Sequence, residues 1–246
     1  MTIPGVLGAR HPDVDRLRRL LRHRRDRVAA GAFVLEGLKL LEEALAAGAP
    51  VETVYVSEGG PVIDHPDVRV LARGVLERVA DTVTPQPVLA VCRRLDVPIA
   101  AIASATFVVV CVDVQDPGNA GTILRSAEAA GADGVVFAGS SVDPYNPKTV
   151  RASAGSLFHI PVVLGELHDV RQRKLGTTAT AGAPLDEVDL CSPVAIVLGN
   201  EAHGLSADAA IDEWVTIPMT GRSESLNVGM AASVLCFEVA RQRRAG

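Results

Sequence analysis

Three polar stretches carry the residue types from which a ligand-binding site is built. The first, residues 113–125, reads Asp-Val-Gln-Asp-Pro-Gly-Asn-Ala-Gly-Thr-Ile-Leu-Arg. The second, 198–206, reads Leu-Gly-Asn-Glu-Ala-His-Gly-Leu-Ser, and the third, 217–228, Ile-Pro-Met-Thr-Gly-Arg-Ser-Glu-Ser-Leu-Asn-Val. Each mixes glycines, which leave backbone N–H and C=O groups accessible, with Asn, Glu, Ser or Arg. Each follows an apolar run that reads as a strand: 107–112, 194–198 and 214–217. Open parallel α/β sheets bind ligands outside the C-terminal ends of their strands, so all three stretches are expected at one such end.

Familiar chemistries are excluded by pattern. No G-x-x-x-x-G-K-[ST], no G-x-G-x-x-G after the first strand and no G-x-S-x-G occurs, which removes support for P-loop, dinucleotide and hydrolase readings. The six His show no HExxH or other metal spacing, and the four Cys (92, 111, 191, 236) form no CxxC and suggest no disulfide framework. No metal is expected. Cys111, inside Val-Val-Val-Cys-Val, reads as a buried free thiol.

The elements that must position these stretches alternate. Beyond residue 106, strands are expected at 107–112, 135–138, 162–164, 177–181, 194–198 and 214–217. Helices are expected at 119–130, 149–157, 170–174 and 228–243. Buried β-runs alternating with helices indicate a parallel α/β sheet. Residues 10–95 read as a smaller α/β unit, with helices at 14–30 (capped by Asp13, stopped by Gly31), 37–47 and 74–80, and strands at 32–35, 51–56 and 68–71. The expected organisation is an N-terminal domain over 1–96, a linker over 97–106 and a second domain over 107–246.

The chain has 246 residues, 48% hydrophobic, which suits a packed protein and not a disordered one. The uncharged stretch 97–112 contains Pro98, Ser104 and Thr106 and is shorter than the roughly 20 apolar residues of a membrane span. Met1 to Gly5 shows no basic-then-apolar leader, and a cytoplasmic, membrane-free protein is expected. Aromatics are 3%, too few for a base-stacking platform. Net charge is −5, yet within residues 1–30 eight Arg stand against three Asp. Arg22, Arg24, Arg25 and Arg27 lie in this run. Arg suits forked phosphate contacts, although a solvated helix face has the same composition.

Taken singly, the site residues have plain structural readings. Asn119 caps a helix, Arg125 pairs with Glu128 three residues on, Arg151 is a surface charge and Glu201 an exposed loop acid. Leu198, Gly199, Ile217, Met219 and Leu226 serve core or turn, and Ser225 and Asn227 cap the last helix.

Taken together, the three stretches resemble the three motifs of the SpoU (TrmH-like) RNA 2′-O-ribose methyltransferases of the SPOUT superfamily. The match comprises Pro117-Gly118-Asn119-x-Gly121 with Arg125, Gly199-Asn200-Glu201-x-x-Gly204-Leu205-Ser206, and Ile217-Pro218-Met219 with Ser225-Leu226-Asn227, in order and spacing over about 105–243. The N-terminal unit, with Phe33-Val34-Leu35-Glu36-Gly37, is similar to the family's ribosomal-protein-like RNA-binding extension. That two-unit form implies ribosomal RNA, with thiostrepton-resistance methyltransferases as cousins. Ala202 and Gly229 depart from the pattern, and neither removes a polar group the chemistry needs.

The resemblance implies a trefoil-knotted parallel-sheet domain, a homodimer and S-adenosylmethionine as cofactor. Asn119, Arg125 and Glu201 are then catalytic. Leu198, Gly199, Asn200, Gly204, Ile217, Met219, Ser225, Leu226 and Asn227 hold the cofactor, largely through backbone groups. Arg22, Arg24, Arg25, Arg27, Lys148 and Arg151 touch RNA. Methyl transfer requires the 2′-hydroxyl to lose a proton as it attacks. A guanidinium, with a pKa above about 12, is a poor base, so Arg125 suits orienting the hydroxyl or a phosphate and stabilising the developing alkoxide. Alternative readings are a transfer-RNA methyltransferase of the same family and a non-catalytic RNA-binding ribosome-assembly protein.

Overall fold

The structure, a computed structural model, describes residues 5–80 and 85–245. The opening Met1–Pro4, read above for the absence of a leader, lies outside the described residues. The chain divides into two compact units: Met1–Leu95 with Tyr145–Arg151, and Asp96–Pro144 with Ala152–Gly246.

The first unit contains β1 (Val6–Leu7), α1 (Pro12–Arg22), α2 (Arg24–Ala30), β2 (Ala32–Glu36), α3 (Leu38–Ala46), β3 (Val51–Ser57), β4 (Val68–Leu71), α4 (Val75–Val79) and β5 (Val88–Arg93). Its five-stranded sheet runs β1-β4-β3-β5-β2, with β5 antiparallel to both its neighbours. Val14, Leu17, Leu20 and Leu21 recur at helical spacing on α1 and bury against Val34, Tyr55, Leu71 and Leu89 of the sheet.

The single helix expected at 14–30 is two. His23 takes an extended conformation (φ −123°, ψ 119°), and its N–H donates to the Arg19 carbonyl. The Arg27 guanidinium, 3% exposed, donates to the Leu20 and Leu21 carbonyls at 2.8 and 3.3 Å. The carbonyls that a helix end leaves without intrahelical partners are thus satisfied by a side chain from the next helix. His11, not Asp13, caps α1, its ring accepting from the Asp13 N–H at 3.2 Å. Gly31 ends α2 in the left-handed region (φ 58°), as its sequence position implied.

The second unit contains β6 (Phe107–Val112), α5 (Pro117–Ala129), β7 (Gly134–Ala138), β8 (Val162–Leu164), β9 (Arg173–Thr177), β10 (Ala183–Pro184), β11 (Val194–Leu198), β12 (Glu213–Thr216) and α7 (Val228–Ala245). A short helix α6 (Pro147–Ala152) falls between β7 and β8 in the chain, and most of it clusters with the first unit. The seven strands form one parallel sheet, β10-β12-β9-β11-β6-β7-β8. β6 and β11 are central and paired from Phe107–Val194 to Cys111–Leu198. Burial on both faces explains their unbroken apolar sequences.

Three expectations are corrected here. Residues 170–174 are not a helix, and the strand placed at 177–181 is β9, ending at Thr177. The helix expected at 149–157 is α6 followed by a 3-10 turn at Ser156–Phe158. Residues 97–106 carry a 3-10 turn at Ile99–Ile102, with Ile102 buried and Val97 bridged to Val163. No helix among the described residues is long and apolar enough to cross a membrane.

Candidate active site

The loops after β6, β11 and β12 converge at the C-terminal edge of the second unit's sheet. After β6, Asp113 takes a left-handed conformation (φ 56°), unusual for a residue with a Cβ. Its carboxylate accepts from the Ser140 N–H at 2.6 Å, and its carbonyl from Asn200 Nδ2 at 2.9 Å. The chain then enters α5 with Asp116 as N-cap and Pro117 in the first turn. Asp116 Oδ1 accepts from the Asn119 N–H at 2.9 Å, so Asn119 is not the cap and its side chain is released for other work.

That work is a junction between all three loops. Asn119 Nδ2 donates to Glu201 Oε1 at 3.0 Å, and Asn119 Oδ1 accepts from Asn227 Nδ2 at 3.0 Å. Glu201 Oε1 also accepts from the Asp116 N–H at 2.9 Å, and Oε2 from the Gln115 N–H at 3.0 Å. Asn227 in turn caps α7, its Oδ1 accepting from the Gly229 and Met230 N–H groups at 2.9 and 3.3 Å. Partial burial pushes the Glu201 carboxyl up, but the donors from Gln115, Asn119 and Asp116 outweigh it and hold the group below the usual carboxylate value of 4.5.

The loop after β11 is a tight turn. Asn200 and Gly204 exchange backbone hydrogen bonds at 3.1 and 2.9 Å, and Asn200 Oδ1 accepts from the Ala202 and His203 N–H groups. Two glycines are required. Gly204 has φ +67°, and a Cβ at Gly199 would meet the Gly204 carbonyl carbon at 2.4 Å and the Leu205 nitrogen at 2.5 Å.

Beside this junction is a cavity of about 540 Å³. Leu198, Gly199, Asn200, Gly204, Ile217, Met219, Ser225, Leu226 and Asn227 all line it, with Glu201. The lining that sequence reasoning missed includes Thr177 at the end of β9, Thr178 and Ala179 just beyond it, Trp214 on β12, and His203. A correctly placed β9 would have flagged Thr177 and Thr178, because the first ends the strand and the second follows it.

Arg125 lies outside the cavity lining. It projects from the exposed side of α5 with no hydrogen bond or ion pair among the described residues. Glu128 does not pair with it; its carboxylate accepts from Ser156 Oγ at 3.4 Å. In the first unit Arg22, Arg24 and Arg25 are exposed. Arg27 is the correction: its guanidinium is occupied inside the unit and presents nothing to a phosphate. Arg151 donates to Glu36 Oε2 at 2.9 Å while remaining partly exposed, and Lys148 is exposed. Cys111 is buried, and burial pushes its thiol well up. No group of three or more His, Cys, Asp or Glu among the described residues is placed to hold a metal ion.

A parallel sheet with three polar loops tied around one cavity defines a small-molecule-binding α/β protein whose site lies at the strand C-termini. Comparison with known proteins narrows this class. The SpoU rRNA Methylase family model matches residues 106–237, and an MRM3-like substrate binding domain matches 12–90. The chain is 35% identical over 234 residues to the 23S rRNA (guanosine(2553)-2′-O)-methyltransferase RlmP of Bacillus subtilis, covering 89% of this chain and 92% of that one. It is 32% identical over 257 residues to the 23S rRNA (uridine(2479)-2′-O)-methyltransferase of Streptomyces viridochromogenes, covering 92% and 88%. Among solved structures, the SpoU methyltransferase AviRb of Streptomyces viridochromogenes in complex with AdoMet superposes with a TM-score of 0.84 at 29% identity, covering 96% of this chain and 100% of that one. The AdoMet-bound rRNA methyltransferase of Sinorhizobium meliloti gives 0.82 at 28%, covering 94% and 95%. The chain belongs to the SpoU rRNA methylase family.

Proposed function

We propose that this protein methylates the 2′-hydroxyl of a ribose in 23S ribosomal RNA, with S-adenosylmethionine as methyl donor. The observation that carries the reading is the Asn119–Glu201–Asn227 junction, which ties three family motifs around one cavity. The cavity suits the cofactor. About 540 Å³ lies within the usual range of roughly 300–1,000 Å³ for such ligands. Leu198, Ile217 and Leu226 give it an apolar wall, and the glycine-bearing turn supplies backbone donors and acceptors.

When bound, the cofactor supplies an electrophilic methyl group on a positively charged sulfur. The protein's residues do the rest. Gly199, Asn200 and Gly204 on one loop, with Ile217, Met219, Ser225 and Leu226 on another, hold the donor. Glu201 and Asn119 keep those loops against the start of α5. Arg125, exposed on α5, orients the hydroxyl or its neighbouring phosphate and stabilises negative charge developing on the oxygen. Asn119 and Glu201 thereby act by positioning rather than by proton transfer.

The N-terminal unit binds the RNA. Arg22, Arg24 and Arg25 meet phosphates, joined by Lys148 and by Arg151 through the edge it leaves exposed. This local basic surface steers RNA despite the net negative charge. The protein acts in the cytoplasm as a homodimer, its second domain carrying the family's trefoil knot. The exposed stripe Met230, Val234 and Phe237 on α7 supports pairing with a second copy.

Calorimetric titration with S-adenosylhomocysteine tests the reading. Saturable binding near one per subunit is expected. Absence of binding, with and without ribosomal RNA, would turn the assignment toward a non-catalytic RNA-binding protein.

A further inference from the structure

β2 ends on a charge inside an otherwise apolar run. Ala32, Phe33, Val34, Leu35 and Glu36 are all buried, and the Glu36 side chain is 1% exposed. Taking a carboxylate out of water costs free energy, and a buried ion pair is often no more stabilising than apolar side chains of the same volume. Stability therefore does not account for Glu36, but its contacts do. Oε2 accepts from Arg151 Nη1 at 2.9 Å, across 115 residues of chain, and Oε1 from the Gln86 N–H at 3.4 Å. The Arg151 side chain is 31% exposed, and Glu36 is its one hydrogen-bond partner among the described residues. Resting on the reading that Arg151 meets RNA, we propose that Glu36 is a positioning residue. It fixes the Arg151 guanidinium so that the remaining N–H donors face an RNA phosphate.

The surroundings suit this task. α6 buries Pro147, Thr149 and Val150, which leaves Lys148 and Arg151 toward solvent, three residues apart and so neighbours on the helix surface. Ahead of α6 the Tyr145 ring lies 4.8 Å from the Phe33 ring, and its hydroxyl accepts from the Leu95 N–H at 2.9 Å. Residues 145–151 cluster with the first unit and are fastened to it at both ends, on Phe33 and on Glu36 of the same strand. A guanidinium carries five N–H donors in a rigid fork, and the bond to Glu36 engages one of its nitrogens. An arginine already held in place meets a phosphate without the side-chain ordering that weakens a contact made by a loose one.

Plain charge counting predicts the opposite sign. A carboxylate 2.9 Å from Arg151 offsets the cation, so on that view its removal tightens RNA binding. If Glu36 positions Arg151, its removal weakens RNA binding, and only where Arg151 is present. A double-variant cycle separates the two.

Full-length wild type, Glu36→Gln, Arg151→Gln and the double variant are titrated with in-vitro transcribed 23S rRNA over a range of salt. Thermal melts and calorimetric affinities for S-adenosylhomocysteine are measured on all four. Neither residue lines the cavity, so every variant is expected to bind S-adenosylhomocysteine within about twofold of wild type. Arg151→Gln leaves a buried carboxylate unpaired and is expected to melt lower; the double variant removes both charges and is expected to recover. Arg151→Gln is expected to weaken rRNA binding about tenfold and to flatten the dependence of log affinity on log salt by about 0.7–0.9, the share of one phosphate. Glu36→Gln is expected to weaken rRNA binding about fivefold, and the double variant to bind within about twofold of Arg151→Gln. Glu36→Gln binding rRNA as tightly as wild type, or more tightly, would overturn the proposal. So would a Glu36→Gln loss repeated in full on top of Arg151→Gln, which marks a structural effect, or Arg151→Gln with wild-type affinity and salt dependence. A wild type that binds rRNA but neither binds S-adenosylhomocysteine nor transfers methyl would overturn the methyltransferase reading alone, because the cycle reads RNA binding.

Discussion

Glu201→Gln exchanges one carboxylate oxygen for an amide nitrogen and changes little else in size or shape. In the native site Oε1 accepts from the Asp116 N–H and Asn119 Nδ2, and Oε2 from the Gln115 N–H. A glutamine has one acceptor oxygen. Whichever way its amide turns, at least one of these donors faces an NH₂ group, and the remaining bonds lose their charge assistance. Bonds to charged groups contribute roughly 1.5–3 kcal/mol each. Glu201 is exposed at one edge, which scales the loss down to about 1.5 kcal/mol. The residue joins the loops that wall the cavity, so the loss appears as about tenfold weaker binding of S-adenosylhomocysteine. Glu201→Ala removes all three acceptors and is expected to cost about 3 kcal/mol, on the order of 100-fold. Calorimetric affinities, with thermal melts to verify folding, read this directly. At saturating cofactor the Gln variant retains most of its turnover. Affinities within twofold of wild type for both variants, with unchanged melts, would refute the junction's role. A turnover collapse with intact affinity would return Glu201 to the chemistry itself.

Further consequences follow from single side chains. Arg125→Ala is expected to abolish labelled-methyl transfer while sparing S-adenosylhomocysteine affinity, because Arg125 stands outside the cavity lining; near wild-type turnover would refute its role. Gly199→Ala drives a Cβ into the backbone of Gly204 and Leu205, and calorimetry is expected to find cofactor binding lost. Arg27→Ala strips a donor from two helix-end carbonyls and is expected to cost about 1–3 kcal/mol of unfolding free energy in urea titrations. The folded Glu201 carboxyl lies below its ordinary 4.5. The junction's stabilisation is therefore complete above that value and lost as pH falls through the depressed folded value, and S-adenosylhomocysteine affinity is expected to follow this course.

The central strands β6 and β11 were legible because burial on both faces writes a continuous apolar run. The three loops were legible because they follow such runs and because glycine, asparagine and glutamate stand at fixed spacings. β9 was not. Arg-Lys-Leu-Gly-Thr has a single large apolar residue, and its strand character comes from lying between β11 and β12. The break at His23 was hidden for a similar reason. A run of arginines continues the helical composition, and only the long reach of Arg27 to the end of α1 shows where the first helix stops. That contact also separates Arg27 from Arg22, Arg24 and Arg25, which composition made equivalent. The Asp116 cap was readable in principle, since Asp before Pro is a helix-start signal. Asn119 took its place in the sequence reading, and the consequence was large: freed from capping, Asn119 links Glu201 to Asn227. Which side chains meet across 108 residues, as Asn119 and Asn227 do, is set by strand order and not by local pattern.

The most direct measurement of the central claim is nucleoside mass spectrometry of in-vitro transcribed 23S rRNA after incubation with the protein and S-adenosylmethionine. The account predicts a single new 2′-O-methylated nucleoside, absent from the reaction with Arg125→Ala. A methyl group on a base, or methylation that persists undiminished in Arg125→Ala, would contradict it.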